Sequence, residues 1–409
     1  LLVLDSSGQQ RRDEIAQSFM AIKLTTYGNT AGLNHRFTVR LTRDCSTEAM
    51  NQADLALVAP LARECDDLTQ YKSFGAVITD SPVLFDRLVA AGIPAARVQS
   101  TEGYREGYIV TIEPGSGFIR IIFRPESLHN TIFTTDRCNS NCLMCSQPPK
   151  EVDDSHLVEE NLKMLSLIQS SPEYMGMTGG EPTLLGPDLI RLLQATKNKL
   201  PTTHIHMLTN GRRYKDLSFV RRIAEVNHPS FISAIPLYAD VACVHDYIVQ
   251  AHGAFDETVE GLYNAAEAGL SVEIRIVLHK QSIPRLKQLA EFIYWNFPFV
   301  VHVAFMGLEN MGYVKKNWGE LWIDPVDYMD SLGEAVKYLY LRRMNVSIYN
   351  LQLCLLPQSL WSFARKSISD FKNEYLDVCS HCTVRDHCSG LFLSQINRHS
   401  EHIHALTVV

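Results

Sequence analysis

No stretch of this chain approaches the roughly 18 consecutive apolar residues that span a bilayer. A membrane-spanning helix is therefore not expected. Neither sign of charge dominates. Lys and Arg number 38 against 45 Asp and Glu, a net charge of −7. That balance argues against a nonspecific nucleic-acid binder, which needs a basic surface. Residues 1–5 form a short apolar run followed by an acid, without the basic region that opens a signal peptide. The chain also lacks a phosphate loop, because Asp5-Ser6-Ser7-Gly8 has no Gly-Lys-Ser/Thr ending. Ten cysteines in 409 residues are too few for a disulfide scaffold. Cysteine used for metal rather than crosslinks fits a reducing compartment, so the cytoplasm is expected.

Seven of those cysteines fall in two groups. The first lies in Thr134-Thr135-Asp136-Arg137-Cys138-Asn139-Ser140-Asn141-Cys142-Leu143-Met144-Cys145, with spacing C-x3-C-x2-C. Three thiolates on a short loop can hold one corner of a four-iron cluster and leave one iron open to a small molecule. Four would close it and suit electron transfer. A zinc knuckle or buried structural cysteines is the alternative. The second group is Cys354, Cys379, Cys382 and Cys388, the last three spaced C-x2-C-x5-C. Four thiolates satisfy either one [4Fe–4S] cluster or one zinc ion. Cys45, Cys65 and Cys243 are left over and read as buried free thiols.

The chain alternates apolar strands with helical stretches from residue 131 onward, which predicts a parallel α/β sheet. Strands are expected at 131–135, 174–178, 204–209, 231–237, 271–278 and 300–306. Crossover helices are expected at 189–198, 217–226, 255–268 and 285–296, and a further helix at 328–342. Before this lies an α/β region. Its clear parts are a strand–helix–strand unit over 73–99 and a hairpin of 107–112 with 118–123. An edge strand at 1–4 and a weak helix at 13–23 complete it. His204 and His206 share a strand face and could bind a metal or fill a core. His399, His402 and His404 read as a disordered tail.

The cysteine loop resembles the signature of the radical S-adenosylmethionine (radical SAM) superfamily. So do six βα units with motifs at the strands' C-terminal ends, where barrel active sites sit. The resemblance implies a partial (β/α)6 barrel. It also implies a [4Fe–4S] cluster on Cys138, Cys142 and Cys145 whose open iron binds S-adenosylmethionine (SAM). Gly179-Gly180-Glu181-Pro182 resembles the family's GGEP motif, which implies SAM contacts for Gly179, Gly180 and Glu181. Thr209 and Asn210 end the third strand, where the family places polar groups near SAM. Ser233 is a candidate for the ribose. Arg275 is a candidate for the SAM carboxylate, which a guanidinium grips bidentately. Phe305, Met306 and Gly307 could line the adenine. Met144 stands where the family has an aromatic residue, and its thioether could pack on the same ring.

Cys354, Cys379, Cys382 and Cys388 resemble the auxiliary-cluster extensions (SPASM and the shorter twitch type) of peptide-modifying members. The final C-x3-C step of the larger type is absent. That implies a second [4Fe–4S] cluster, with zinc as the alternative. The expected domains are 1–125, an α/β region that could bind a peptide or partner, 126–315, the catalytic barrel, and 316–409, the auxiliary domain. The phrases from Asp136 to Pro149, Thr178 to Thr183 and Ser369 to Cys388 resemble the C-type maturase of the His-Xaa-Ser peptide system. This implies a ribosomally made precursor peptide as substrate. It also implies an electron donor such as flavodoxin or ferredoxin, a second radical SAM maturase and a small accessory protein. Two alternatives stand beside it: a radical SAM enzyme acting on a small molecule or nucleoside, and a zinc-binding scaffold without catalysis.

Overall fold

The computed structural model describes residues 24–45, 51–59, 67–366 and 373–407. The expected strand at 1–4, the helix at 13–23 and Cys65 lie outside these residues. The chain divides into two compact units, Leu1–Glu126 and Ser127–Val409.

Among its described residues the first unit holds eight strands: β1 (Thr25–Tyr27), β2 (Asn29–Ala31), β3 (Phe37–Thr42), β4 (Leu55–Ala59), β5 (Ala76–Thr79), β6 (Ala95–Arg97), β7 (Ile109–Glu113) and β8 (Phe118–Phe123). Their order in the sheet is β1-β8-β7-β3-β4-β5-β6-β2. The two edge strands are consecutive in sequence, with only Gly28 between them. One stretch of chain thus pairs with β8 on one side and β6 on the other, and closes the sheet into a ring. Glycine is required at this crossing, because a Cβ at Gly28 would lie 2.3 Å from the Arg97 carbonyl oxygen. Alternate residues such as Val39, Val58, Ile78, Val110 and Ile121 fill one buried cluster. The intervening residues of β4 to β6 pack with Leu84 and Leu88 of helix Pro82–Ala90. The strand–helix–strand unit and the hairpin are both present, but closure of the sheet was not visible in the sequence.

The second unit is built on eight parallel strands in sequence order: β9 (Asn130–Phe133), β10 (Tyr174–Thr178), β11 (His204–Leu208), β12 (Phe231–Pro236), β13 (Ser271–Leu278), β14 (His302–Gly307), β15 (Val346–Tyr349) and β16 (Ala364–Arg365). The first six are the expected strands. Helices His156–Leu167, Pro187–Lys199, Leu217–Val226, Ala254–Glu267 and Leu286–Asn296 cross between them. Met175, Ile205, Ile274 and Val303 are buried on the helix-facing side of the sheet. Register decides the other side. Glu273 pairs with His302, Arg275 with Ala304 and Val277 with Met306, so these residues share the inner face. β15 and β16 extend the sheet beyond the six expected units. They carry the chain from residue 346 toward the second cysteine group.

Among the described residues, no helix is long and apolar enough to cross a membrane.

Candidate active site

The Cys138–Cys145 loop leaves the end of β9, where Thr134 N–H still donates to the Thr178 carbonyl of β10 at 2.8 Å. Beyond that point the loop is held from four sides. Asp154 accepts from Thr135 Oγ1 at 2.6 Å, from Asp136 N–H at 2.6 Å and from Arg137 Nε at 3.1 Å. Gly180 N–H donates to the Thr135 carbonyl at 2.7 Å and Glu181 N–H to the Arg137 carbonyl at 2.8 Å. Asn141 and Leu143 donate their N–H groups to Val249 and Ile248, at 3.0 and 2.9 Å. Tyr313 N–H reaches the Cys145 carbonyl at 2.9 Å, and Asn317 Nδ2 reaches the Leu143 carbonyl at 2.8 Å. A loop tied through its backbone on every side presents its thiols with little freedom.

Arg212 adds a cation to this cradle, and nothing in its sequence setting marked it. Its guanidinium donates to the Asn139 carbonyl and, at 3.1 Å, to Ser140 Oγ, while Nε donates to Glu257 at 2.7 Å. Asn210 Nδ2 lies 2.6 Å from Asn139 Oδ1 and 3.9 Å from Cys138 Sγ.

The three thiols are half-buried and sense one another. Burial pushes Cys138 up to about 11, and charge on Glu181 and Cys145 adds to this against the Ser140 N–H. Burial also raises Cys142, with charge on Cys145 and Cys138 adding and Arg212 opposing. Burial raises Cys145, opposed by a backbone hydrogen bond at Gln147. Such thiols become thiolates only with a compensating cation, so metal loading here releases protons. Among the described residues, no three His, Cys, Asp or Glu side chains converge closely enough to hold a single metal ion. A four-iron cluster spreads its thiolates over separate irons, so the donor set fits a cluster.

The expected SAM contacts divide. Gly179 and Gly180 are partly exposed beside the loop. A Cβ on Gly180 would lie 2.1 Å from the Arg137 carbonyl oxygen. Their glycine character thus lets the cysteine loop seat against β10. Glu181 departs from the expectation. It is 0% exposed, and its carboxylate accepts from Thr183 N–H at 3.0 Å, Thr209 Oγ1 at 2.6 Å and Asn210 N–H at 2.6 Å. Burial raises its pKa against these donors. Glu181 and the equally buried Thr209 tie the end of β10 to the end of β11 and line no open surface. Ser233 also departs. It points to the helix side of the sheet, where its hydroxyl meets Tyr214 Oη at 2.9 Å, because it falls between inner-face residues Ile232 and Ala234. Phe305 is fully buried on that same side. Gly307 closes on the Asn350 carbonyl, 2.4 Å from where a Cβ would stand.

Arg275 and Met306 remain on the inner face. The Arg275 guanidinium meets the Met306 sulfur at 2.9 and 3.2 Å and Glu273 at 3.7 Å. A thioether is a weak acceptor, so the guanidinium keeps donor capacity. Met144 packs with Leu143 and Tyr238 beneath the loop. His204 stacks on Tyr174 and bonds Ser230 Oγ at 2.6 Å, while His206 lies 3.3 Å from Glu273. His206 joins Glu273, His302 and Ser347 in a polar floor, while His204 stays with Tyr174 and Ser230, so the two do not form a metal pair.

His245 supports the same layer. It stacks on Tyr238 and its Nδ1 accepts the Tyr238 N–H at 3.3 Å, which requires a neutral ring. Burial lowers its pKa from 6.5 to about 4. The unfolded chain then binds the proton first as pH falls. The neutral site costs nothing above pH 6.5, and stability is lost progressively from there down to about 4. The difference corresponds to about 3 kcal/mol. The urea midpoint is expected to fall over this window, and His245→Phe to flatten that part of the profile.

Cys354, Cys379, Cys382 and Cys388 line one shared cavity. Cys354 is brought there by the turn that follows β15. Cys388 Sγ accepts the Leu353 N–H at 3.4 Å. Burial raises the Cys388 thiol, opposed by the Gly390 and Leu353 N–H groups. Of the leftover cysteines, Cys45 and Cys243 are exposed, contrary to the expectation of buried thiols.

A parallel barrel with a three-cysteine loop at the C-terminal ends of its strands defines a radical SAM domain. Residues 132–293 match the model of the Radical SAM superfamily, and the chain carries a domain of that superfamily. Over 153 residues it is 29% identical to Fe-coproporphyrin III synthase of Methanosarcina barkeri, a match covering 36% of each chain. Over 184 residues it is 27% identical to GTP 3′,8-cyclase of Petrotoga mobilis, covering 44% of this chain and 54% of the other. The chain thus spans about a third to a half of these curated relatives. Streptococcus suis SuiB bound to S-adenosylmethionine is similar in structure. Its TM-score is 0.46 at 18% identity, over 63% of this chain and 56% of SuiB.

Proposed function

We propose that this chain is a radical SAM enzyme that modifies a ribosomally made peptide of the His-Xaa-Ser type. The observation that carries the reading is the pairing of two cysteine sites in one folded unit. One is a three-thiol loop at the barrel mouth, and the other is a four-thiol cavity beyond β15. Cys138, Cys142 and Cys145 would hold a four-iron cluster, which would supply the electron for reductive cleavage of SAM and so for hydrogen abstraction from the substrate.

The chain's own residues supply placement. Arg212, Asn210 and the Gly179–Gly180 backbone hold the cysteine loop rigid. Arg275 has donors left for the SAM carboxylate and stands beside Met306, which can face the adenine. Glu181 and Thr209 act at one remove, by fixing the strand ends. The inner face of β11, β13 and β14 offers His206, Glu273 and His302 to a polar substrate. Cys354, Cys379, Cys382 and Cys388 would hold a second cluster. A precursor peptide, a flavodoxin- or ferredoxin-type donor, a second maturase and an accessory protein are the partners of this reading.

A small-molecule substrate is the second reading. The names of the two curated relatives favour it, since a porphyrin and GTP are small molecules. Anaerobically reconstituted protein with SAM, dithionite and a His-Xaa-Ser peptide separates the two. The peptide reading expects 5′-deoxyadenosine formation to rise with peptide and the peptide's mass to change. Basal 5′-deoxyadenosine with an unaltered peptide would favour the small molecule.

A further inference from the structure

Residues 400–407 do not behave as the loose His-rich tail that their composition suggests. Ser400 is buried and donates its hydroxyl to Asp324 Oδ1 at 2.9 Å. Further on, the Leu406 carbonyl accepts from Thr383 N–H at 2.9 Å and from Thr383 Oγ1 at 3.2 Å. Between these two anchors Ile403, His404 and Leu406 form part of the wall of the cysteine cavity. One backbone amide in this stretch meets sulfur: Leu406 N–H donates to Cys382 Sγ at 3.4 Å.

We propose that residues 400–407 are a strap over the auxiliary iron–sulfur site, whose Leu406 amide tunes Cys382 and whose side chains seal it. This rests on the reading that the four cysteines hold a cluster. Amide donors to ligating sulfur offset negative charge there and favour the reduced, more negative state, so they raise the reduction potential. Ile403 and Leu406 exclude water and chelators from the same face. Cys354, far from the other three in sequence, shares with them the cavity that the strap walls.

The test uses the full chain with Cys138, Cys142 and Cys145 replaced by alanine, so that one cluster signal remains. Leu406→Pro removes the donor to Cys382 and keeps an apolar cover. Ile403→Gly removes cover and keeps every amide. The first is expected to lower the midpoint potential in an EPR-monitored titration. The second is expected to speed iron release to a chelator, read by absorbance, without need of activity. Wild-type potential and wild-type release in both variants would overturn the strap while leaving the cluster in place. If the parent protein holds no iron after reconstitution, the cluster reading fails first and the strap falls with it.

Discussion

Replacing Cys138, Cys142 and Cys145 by alanine is expected to cut iron from about eight to about four per chain and to abolish 5′-deoxyadenosine formation. The three thiols lie on one loop and sense one another electrically, so they act as a single donor set. Cys354, Cys379, Cys382 and Cys388 share a separate cavity, and their iron is expected to survive. Metal analysis after anaerobic reconstitution reads both sites together. About four irons in the wild type and none in the variant would leave the second group to zinc, while iron-free wild type would defeat the enzyme reading.

Gly180→Ala is expected to have nearly the same effect on iron without touching a ligand. The new Cβ would stand 2.1 Å from the Arg137 carbonyl oxygen and 2.6 Å from its carbon. Both are backbone atoms, and hydrogen bonds from Gly180 and Glu181 hold that backbone in place. Overpacking of this kind typically costs about 1–3 kcal/mol. The loop can relieve it only by moving Arg137, and Cys138 moves with it. The variant should lose the iron of the first site, keep that of the second and melt at a lower temperature. Gly319→Ala, where a Cβ meets nothing within 4 Å, is the control and should behave as wild type. A Gly180→Ala protein with full iron would show that the loop tolerates displacement, and the tight seating proposed here would be wrong.

The barrel was legible because a parallel sheet buries one face of each strand under helices. Its strands therefore appear as apolar or alternating runs at regular spacing, as 174–178 and 271–278 do. The cysteine loop was legible because its ligands are close in sequence. The same reading misplaced Ser233. A buried strand's polar residue does not announce its face, and only the register of β12 between β11 and β13 assigns it. Glu181 and Thr209 sit in the right motif, but their mutual hydrogen bond turns them inward.

The parallel α/β barrel, the two cysteine groups and the order of the motifs along the mouth can all be read from the amino-acid order. These depend on local spacing and on periodic burial, which a linear chain records. Folding alone reveals that residues 25–31 close the first sheet and that Arg212 clamps the cysteine loop. It alone brought residues 400–407 over Cys354 and Cys382. Each of these is a contact between segments far apart in the chain in which at least one partner is a backbone group that every residue type carries, and so leaves little mark in the order of side chains.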